Sequence, residues 1–228
     1  MTPPVASEIA GTASSAAGKV LAGASRTLAW TRPSRKPLHP AGDVLVGRLV
    51  RTGGQPPSGA TWLDTAGEDE VLVRLSRAVG LPRPLPDIHG LAVRIPTGDH
   101  DFADLLLATT GLGRLGRFVL LPERSTGRRA LTSLLPYRGP RGPVLIAARP
   151  VADLELPGPA RPAFELMWAS PAGPWVTFGR LDLSETSGPD PAISFDPVRN
   201  PLPDLTFYRW VQRLRAPAYR AARDASGR

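Results

Sequence analysis

The sequence predicts a mainly β protein, an antiparallel barrel accompanied by helices, and three observations support this fold class. The 27 prolines and 23 glycines are spread along the chain, which favours short strands joined by many turns over a helical bundle. Between residues 71 and 76, apolar side chains alternate with a second set that includes an arginine and a serine, as along one strand of a sheet wall. A chain of 228 residues commonly folds around one core as a single barrel.

The N-terminal region predicts a helical or partly disordered arm that precedes the barrel. Apolar residues recur there with weak helical spacing; they are Ile9, Ala13, Ala16, Val20, Ala24 and Leu28. Two interpretations stay open, a surface arm or an arm that packs on a partner subunit. The predicted organisation is therefore an arm over residues 1–31 and a barrel domain with C-terminal helices over residues 32–228.

The central region predicts strands from about residue 43 to residue 180, and the last quarter of the chain predicts helices. Segments 53–60 and 184–192 are rich in Gly, Pro and Ser and are expected to be loops. Within the strand at 71–76, Arg74 and Ser76 occupy the phase where a second apolar set is expected. Burying both on a strand costs free energy unless each has a partner. The wall is therefore expected to present them to something anionic or polar.

The composition excludes several classes of protein. The chain has no cysteine, which excludes disulfides, thiolate haem ligation and cysteine nucleophiles, and agrees with a reducing cytoplasm. No run of 18 apolar residues occurs, and the N-terminus lacks the basic and apolar regions of a signal peptide. We therefore expect a cytoplasmic protein with no membrane partner.

The net charge of +8 comes from 26 arginines and only 2 lysines. The arginines are scattered, few aromatic residues lie among them, and no RNA- or DNA-binding motif is present, so a nucleic-acid partner is not expected. No nucleophile elbow, phosphate-binding loop or dinucleotide fingerprint appears. Four residues of types that can bind a metal lie close together in the sequence: Asp99, His100, Asp101 and Asp104. Their spacing matches no established metal site, so they are expected to form a solvated turn.

Residues 71–110 resemble the central barrel region of the catalase family. Val73–Ser76 reads V-R-L-S and is similar to the family's V-R-F-S strand. His89–Val93 is similar to the second strand, with His89 where the family has arginine, and Asp104–Leu106 is similar to the start of the third segment. The resemblance implies a catalase-like antiparallel β-barrel that binds haem b.

Upstream of this region, the resemblance implies a distal histidine and a propionate site. His39 lies in the segment K-P-L-H-P-A-G and takes the distal position, where it would act as the acid and base toward peroxide. Lys36 replaces the family's arginine three residues earlier and keeps its charge for a haem propionate, which Arg74 would also bind. Ser76 would orient the distal imidazole. We expect His39 and Ser76 to be neighbours on the inner side of the barrel.

Near the end of the chain, the resemblance implies that the phenolate of Tyr219 binds the haem iron, assisted by Arg215 four residues earlier. An unperturbed tyrosine titrates near pH ~10. A metal and a nearby guanidinium both favour the phenolate, and tyrosine is an established axial haem ligand. Residues four apart share one face of a helix, although Pro217 is expected to start or kink this helix.

For three of these residues, a simpler structural interpretation stays open beside the functional one. His39 can be a histidine of a loop or strand edge without a role. His89 is interpreted first as a turn residue bonded to Asp87, and otherwise as the replacement of the family's arginine near the pocket. Tyr219 can pack its ring on the core and leave its hydroxyl in water.

The chain departs from the family in the distal pocket. The resemblance covers most of residues 36–223 and is thin between 125 and 195. Ala108–Thr110 stands where the family has an asparagine, and a hydroxyl can bond peroxide without reproducing the amide donor. Two hypotheses follow. The first is a homodimeric haem enzyme that uses peroxide as a peroxidase or peroxygenase on a small organic substrate, with peroxide disproportionation disfavoured. The second is a degenerate barrel that binds a small molecule without haem.

Overall fold

The computed structural model describes residues 41–78, 85–98, 101–125, 127–151, 163–189 and 193–214. Within these ranges the regular elements, in chain order, are β1 (Ala41–Arg51), α1 (Thr61–Asp64), β2 (Gly67–Arg77), β3 (His89–Pro96), β4 (Phe102–Thr109), a 3₁₀ turn (Gly116–Phe118), β5 (Leu131–Thr132), β6 (Tyr137–Gly139), β7 (Gly142–Val151), β8 (Ala163–Ala169), β9 (Val176–Pro189), β10 (Thr206–Phe207) and helix α2 (209–214).

Eight of these strands form a closed antiparallel barrel. Their order around the wall is β1, β2, β3, β4, β5, β7, β8 and β9, and β9 returns to pair with β1. The short strands β6 and β10 extend from β7 outside the ring. The predicted antiparallel barrel is confirmed, and closure leaves no long unpaired edge on the eight-stranded ring.

The barrel interior is filled by apolar side chains. Successive residues of a strand point to opposite faces, so every second residue of each wall strand enters the interior. An eight-stranded barrel has an interior just wide enough to be filled by such side chains. The buried members from the wall include Leu49, Val71, Val73, Leu91, Val93, Ile95, Leu105, Ile146, Phe164, Leu166, Phe178 and Leu181. The core therefore lies inside the barrel.

The connection between β1 and β2 closes one end of the barrel. It contains α1, whose Trp62 is 6% exposed and packs edge-on against Phe178, with ring centroids 5.6 Å apart. Asp204 Oδ2 accepts a hydrogen bond from the backbone N–H of Thr61 at 3.0 Å. Hydrogen bonds from Thr61 hold the pKa of Asp204 below its usual value. Asp204, which is more than 140 residues later in the chain, thus holds the start of α1 in place.

Some expectations need correction or fall outside the described residues. The predicted loop at 53–60 is confirmed, but β9 continues to Pro189, so the loop predicted from residue 184 begins later. Pairing with β1 overrides the turn preference of this segment. The predicted N-terminal arm and residues 215–228 lie outside the described residues, and helix α2 is what the structure describes within the predicted C-terminal helices. No helix among the described residues is long and apolar enough to cross a membrane.

Candidate functional site

Arg74 and Ser76 share the outer face of β2. Val73 lies between them and enters the core, so the alternation directs both polar side chains away from the interior. Ser76 is nevertheless buried, at 6% exposure. The expectation that Ser76 faces the inner side of the barrel is wrong, because the interior is already filled by apolar side chains. The candidate site is therefore on the outside of the wall.

The wall around Arg74 and Ser76 consists of small and apolar residues. In the strand register, Ser76 lies opposite Gly90 of β3, while Arg74 lies between Val44 of β1 and Ala92 of β3. Val44 is only 1% exposed although it belongs to the outer face. A shallow apolar floor with a guanidinium on it suits a flat apolar group that carries an anionic substituent. The described part of this wall therefore presents a guanidinium beside small and apolar residues.

Other parts of the barrel exterior carry ion pairs that face water. These pairs are Arg48–Glu68, Arg149–Glu165 and Arg180–Asp182. The hydrogen bond from Arg48 lowers the pKa of the Glu68 carboxyl. Exposed pairs of this kind stabilise a fold only weakly but mark a surface that stays hydrated. Hydrated ion pairs thus occupy parts of the outer faces of β7, β8 and β9 and the ends of β1 and β2 where Arg48 and Glu68 lie.

Four of the six predicted site residues lie outside the described residues: Lys36, His39, Arg215 and Tyr219. The structure brings Arg74 and Ser76 together on one face and leaves the roles of the other four as predictions.

The two threonines after β4 have partners within the wall. Thr109 Oγ1 accepts a hydrogen bond from the backbone N–H of His89 at 3.1 Å. Thr110 Oγ1 donates to Thr132 Oγ1 at 3.0 Å. Ala108, which pairs with Gly90 in the same row as Ser76, has no polar side-chain group. The Thr110 donor is thus used within the wall, and Thr109 shares the inner face of Leu105 and Leu107, so neither hydroxyl replaces a distal amide donor on the outer face.

A hydrogen bond to the loop that follows β4 holds His89 within the wall. It begins β3, is 2% exposed, and its Nε2 lies 2.9 Å from the carbonyl oxygen of Glu123, to which it donates. This contact, which the sequence did not suggest, holds the loop after β4 against β3 and favours the tautomer protonated at Nε2. The backbone N–H of Arg124, together with Arg129, lowers the pKa of the Glu123 carboxyl. His89 also points to the face opposite Gly90, away from the candidate site.

Sequence reasoning missed a buried ion pair on the same outer wall. The carboxylate of Asp104 is fully buried and accepts bonds from Arg94 Nε at 2.8 Å and Nη2 at 2.9 Å. The backbone N–H of Asp196 and the amide of Asn200 also donate to it, each at 2.8 Å. The expectation that Asp104 belongs to a solvated turn is wrong. The sequence signal for this pair was an arginine before the β3–β4 turn and an aspartate at the same distance after it, since antiparallel pairing places the two opposite each other.

Comparisons with known proteins support the fold. No family model matches this sequence, and no curated protein matches it. Among solved structures, the chain is similar to a crystal structure of a fungal catalase at 1.9 Å resolution, with a TM-score of 0.57 and 14% sequence identity. The similarity covers 91% of this chain and 63% of that chain, so this chain spans less than two thirds of that catalase's length. At this identity, the similarity shows a catalase-like fold.

Proposed function

We propose that this chain is a haem-dependent oxidoreductase that uses peroxide to oxidise a small organic substrate. The observation that carries the proposal is the outer face of β2, where Arg74 and Ser76 lie together on a small, apolar floor. Arg74 and Ser76, which belong to the stretch that resembles the catalase V-R-F-S strand, thus share one face of a barrel whose fold is catalase-like. A flat face bearing a guanidinium and a buried hydroxyl supports a haem site more directly than the fold alone does.

The cofactor would be held by side chains from three parts of the chain. Arg74 and Lys36 would bind propionates through charge-assisted hydrogen bonds. Tyr219 would bind the iron through its phenolate, and Arg215 would stabilise the negative charge of that oxygen. Bound haem would supply the redox chemistry with peroxide, while the protein sets ligation, access and polarity.

His39 would take a proton from peroxide and return it to the leaving oxygen. Covalent geometry permits this role, because three residues span at most about 11 Å and His39 is three residues before Gly42. Gly42 lies opposite Ser76 in the register. The Ser76 hydroxyl would then fix the orientation of the imidazole. Since Thr110 donates its hydroxyl to Thr132 and Thr109 lies on the opposite face of β4 from Ala108, we propose oxidation of an organic substrate over peroxide disproportionation.

The absorbance spectrum of the full chain, expressed with a haem precursor, tests this proposal. We expect a Soret band in the wild-type protein and its loss or shift in Tyr219→Phe, which removes only the ligand oxygen. Tyr208→Phe is the matched control, because Tyr208 packs against the core and should leave the spectrum unchanged. Ser76→Ala should keep the haem and lower peroxide-dependent oxidation by roughly tenfold.

A colourless wild-type protein would reject the proposal in favour of a barrel that binds a small molecule without haem. Identical spectra of wild type and Tyr219→Phe would reject Tyr219 as the ligand.

A further inference from the structure

A groove of about 380 Å³ lies on the outer side of β1–β4, next to the face that carries Arg74. Val46, Leu72 and Phe102 provide its apolar lining, and Val46 pairs with Leu72 in the register. Leu72 is two residues from Arg74 on β2, which corresponds to about 7 Å along a strand. Phe102 is 40% exposed. The volume is in the range of sites for small ligands.

Two carboxylates at this groove have no partner among the described residues. Glu70 and Asp101 border the groove, and neither side chain makes an ion pair or hydrogen bond within the described part of the chain. Glu70 lies directly opposite Arg48 in the register, yet Arg48 donates from Nε and Nη2 to Glu68 at 2.6 and 2.8 Å. An unpaired carboxylate beside an arginine is unexpected in a chain with 28 basic and 20 acidic residues.

The one cationic side chain that lines the described part of the groove does not neutralise these carboxylates. Arg94 is held by the bidentate pair with Asp104 and donates from Nη2 to the carbonyl oxygen of Ser194 at 2.7 Å. Its guanidinium carbon also lies 3.9 Å from the ring centroid of Phe102. The charge of Arg94 is therefore balanced within the wall, and the groove keeps the negative charge of Glu70 and Asp101.

We propose that this groove binds a small organic cation, a protonated amine with an apolar body. The apolar body would pack against Val46, Leu72 and Phe102, and the ammonium group would meet Glu70 and Asp101. A neutral ligand of the same shape gains only the apolar contacts, and an anion is repelled. Binding at this groove is independent of the haem chemistry proposed above, since it uses none of the same side chains.

Calorimetric titration of the full chain with benzylamine, benzyl alcohol and benzoate tests the inference. These probes share one ring and differ in charge at pH 7. We expect benzylamine to bind more tightly than benzyl alcohol and benzoate not to bind. The preference should weaken at high salt, because exposed charges are screened. Replacing both carboxylates, Glu70→Gln with Asp101→Asn, should weaken benzylamine binding about threefold or more.

The control variant is Glu165→Gln. Glu165 pairs with Arg149 on β8, away from the groove, so this variant removes a negative charge from the surface without changing the site. Its benzylamine affinity should equal that of the wild type. Equal affinities for benzylamine and benzyl alcohol, or no benzylamine binding, would overturn the inference. An equal loss in Glu165→Gln would also overturn it, because the amine would then respond to the overall charge alone.

Discussion

The Arg94–Asp104 pair provides the sharpest test of how the wall holds the segment that follows β9. Asp104→Asn is nearly isosteric and changes the charge and one hydrogen-bonding atom. In the wild type, Asp104 Oδ1 accepts from Arg94 Nε, while Oδ2 accepts from Arg94 Nη2, Asp196 N and Asn200 Nδ2. An asparagine keeps one acceptor oxygen for the Oδ2 side. Its amide then faces Arg94 Nε, and two donors oppose each other.

The expected loss of stability follows from the burial of the Asp104 carboxylate. Removing one partner of a buried ion pair costs about 3–5 kcal/mol, because the remaining charge is uncompensated. The side chain of Arg94 is 21% exposed and keeps its bond to the Ser194 carbonyl, so part of its charge is still solvated. We therefore expect Asp104→Asn to lower the free energy of unfolding by about 3 kcal/mol, the lower end of that range.

Urea denaturation measures this loss by linear extrapolation of the free energy of unfolding. Asp182→Asn is the matched control, because Asp182 pairs with Arg180 on the exposed side and its side chain is 42% exposed. The control should lose less than about 1 kcal/mol. Replacing the whole pair, Arg94→Met with Asp104→Leu, should recover part of the loss because no lone charge remains. If Asp104→Asn costs no more than the control, the pair does not anchor this segment as argued.

Two further perturbations test the closed end of the barrel. In Asp204→Asn, the melting-temperature deficit relative to wild type should be full at pH 7, because the lowered pKa of Asp204 means that its ionised form stabilises the fold. The deficit should begin to shrink below the unfolded pKa of about 4 and vanish as pH falls through the lower folded pKa, and a deficit that stays constant from pH 7 to pH 2 would contradict the argument. Gly54→Ala should cost about 1–3 kcal/mol, because its Cβ would meet Trp168 Nε1 at 2.4 Å, whereas Gly113→Ala, with open space around it, should cost little in the same denaturation assay.

The sequence predicts the local features of this fold well. The alternation in residues 71–76 correctly indicates a strand on which Arg74 and Ser76 share a face. It does not say which face looks into the barrel. The inner assignment of Ser76 came from its expected role, and packing decides otherwise, because apolar side chains already fill the interior of this barrel.

Long-range partners are the part that the sequence could not supply. Asp104 is held by Asp196 and Asn200, which are more than ninety residues away in the chain. Nothing local distinguishes Asp104 from its neighbour Asp101, yet one is fully buried and the other is exposed. The groove at Glu70 likewise depends on the pairing of four strands, β1 to β4, in one register. These features depend on tertiary pairing and have no periodic signature.

The filled interior restricts where any ligand of this protein can bind. Because apolar side chains occupy the inside of the ring, a small molecule or a haem must meet the outside of the wall. Exposed ion pairs on β7, β8 and β9 keep those parts of the exterior hydrated. The outer side of β1–β4 is where the described residues place both Arg74 and the groove at Glu70. The proposed haem site and the proposed amine site therefore lie on one wall, with Leu72 of the groove and Arg74 about 7 Å apart along β2.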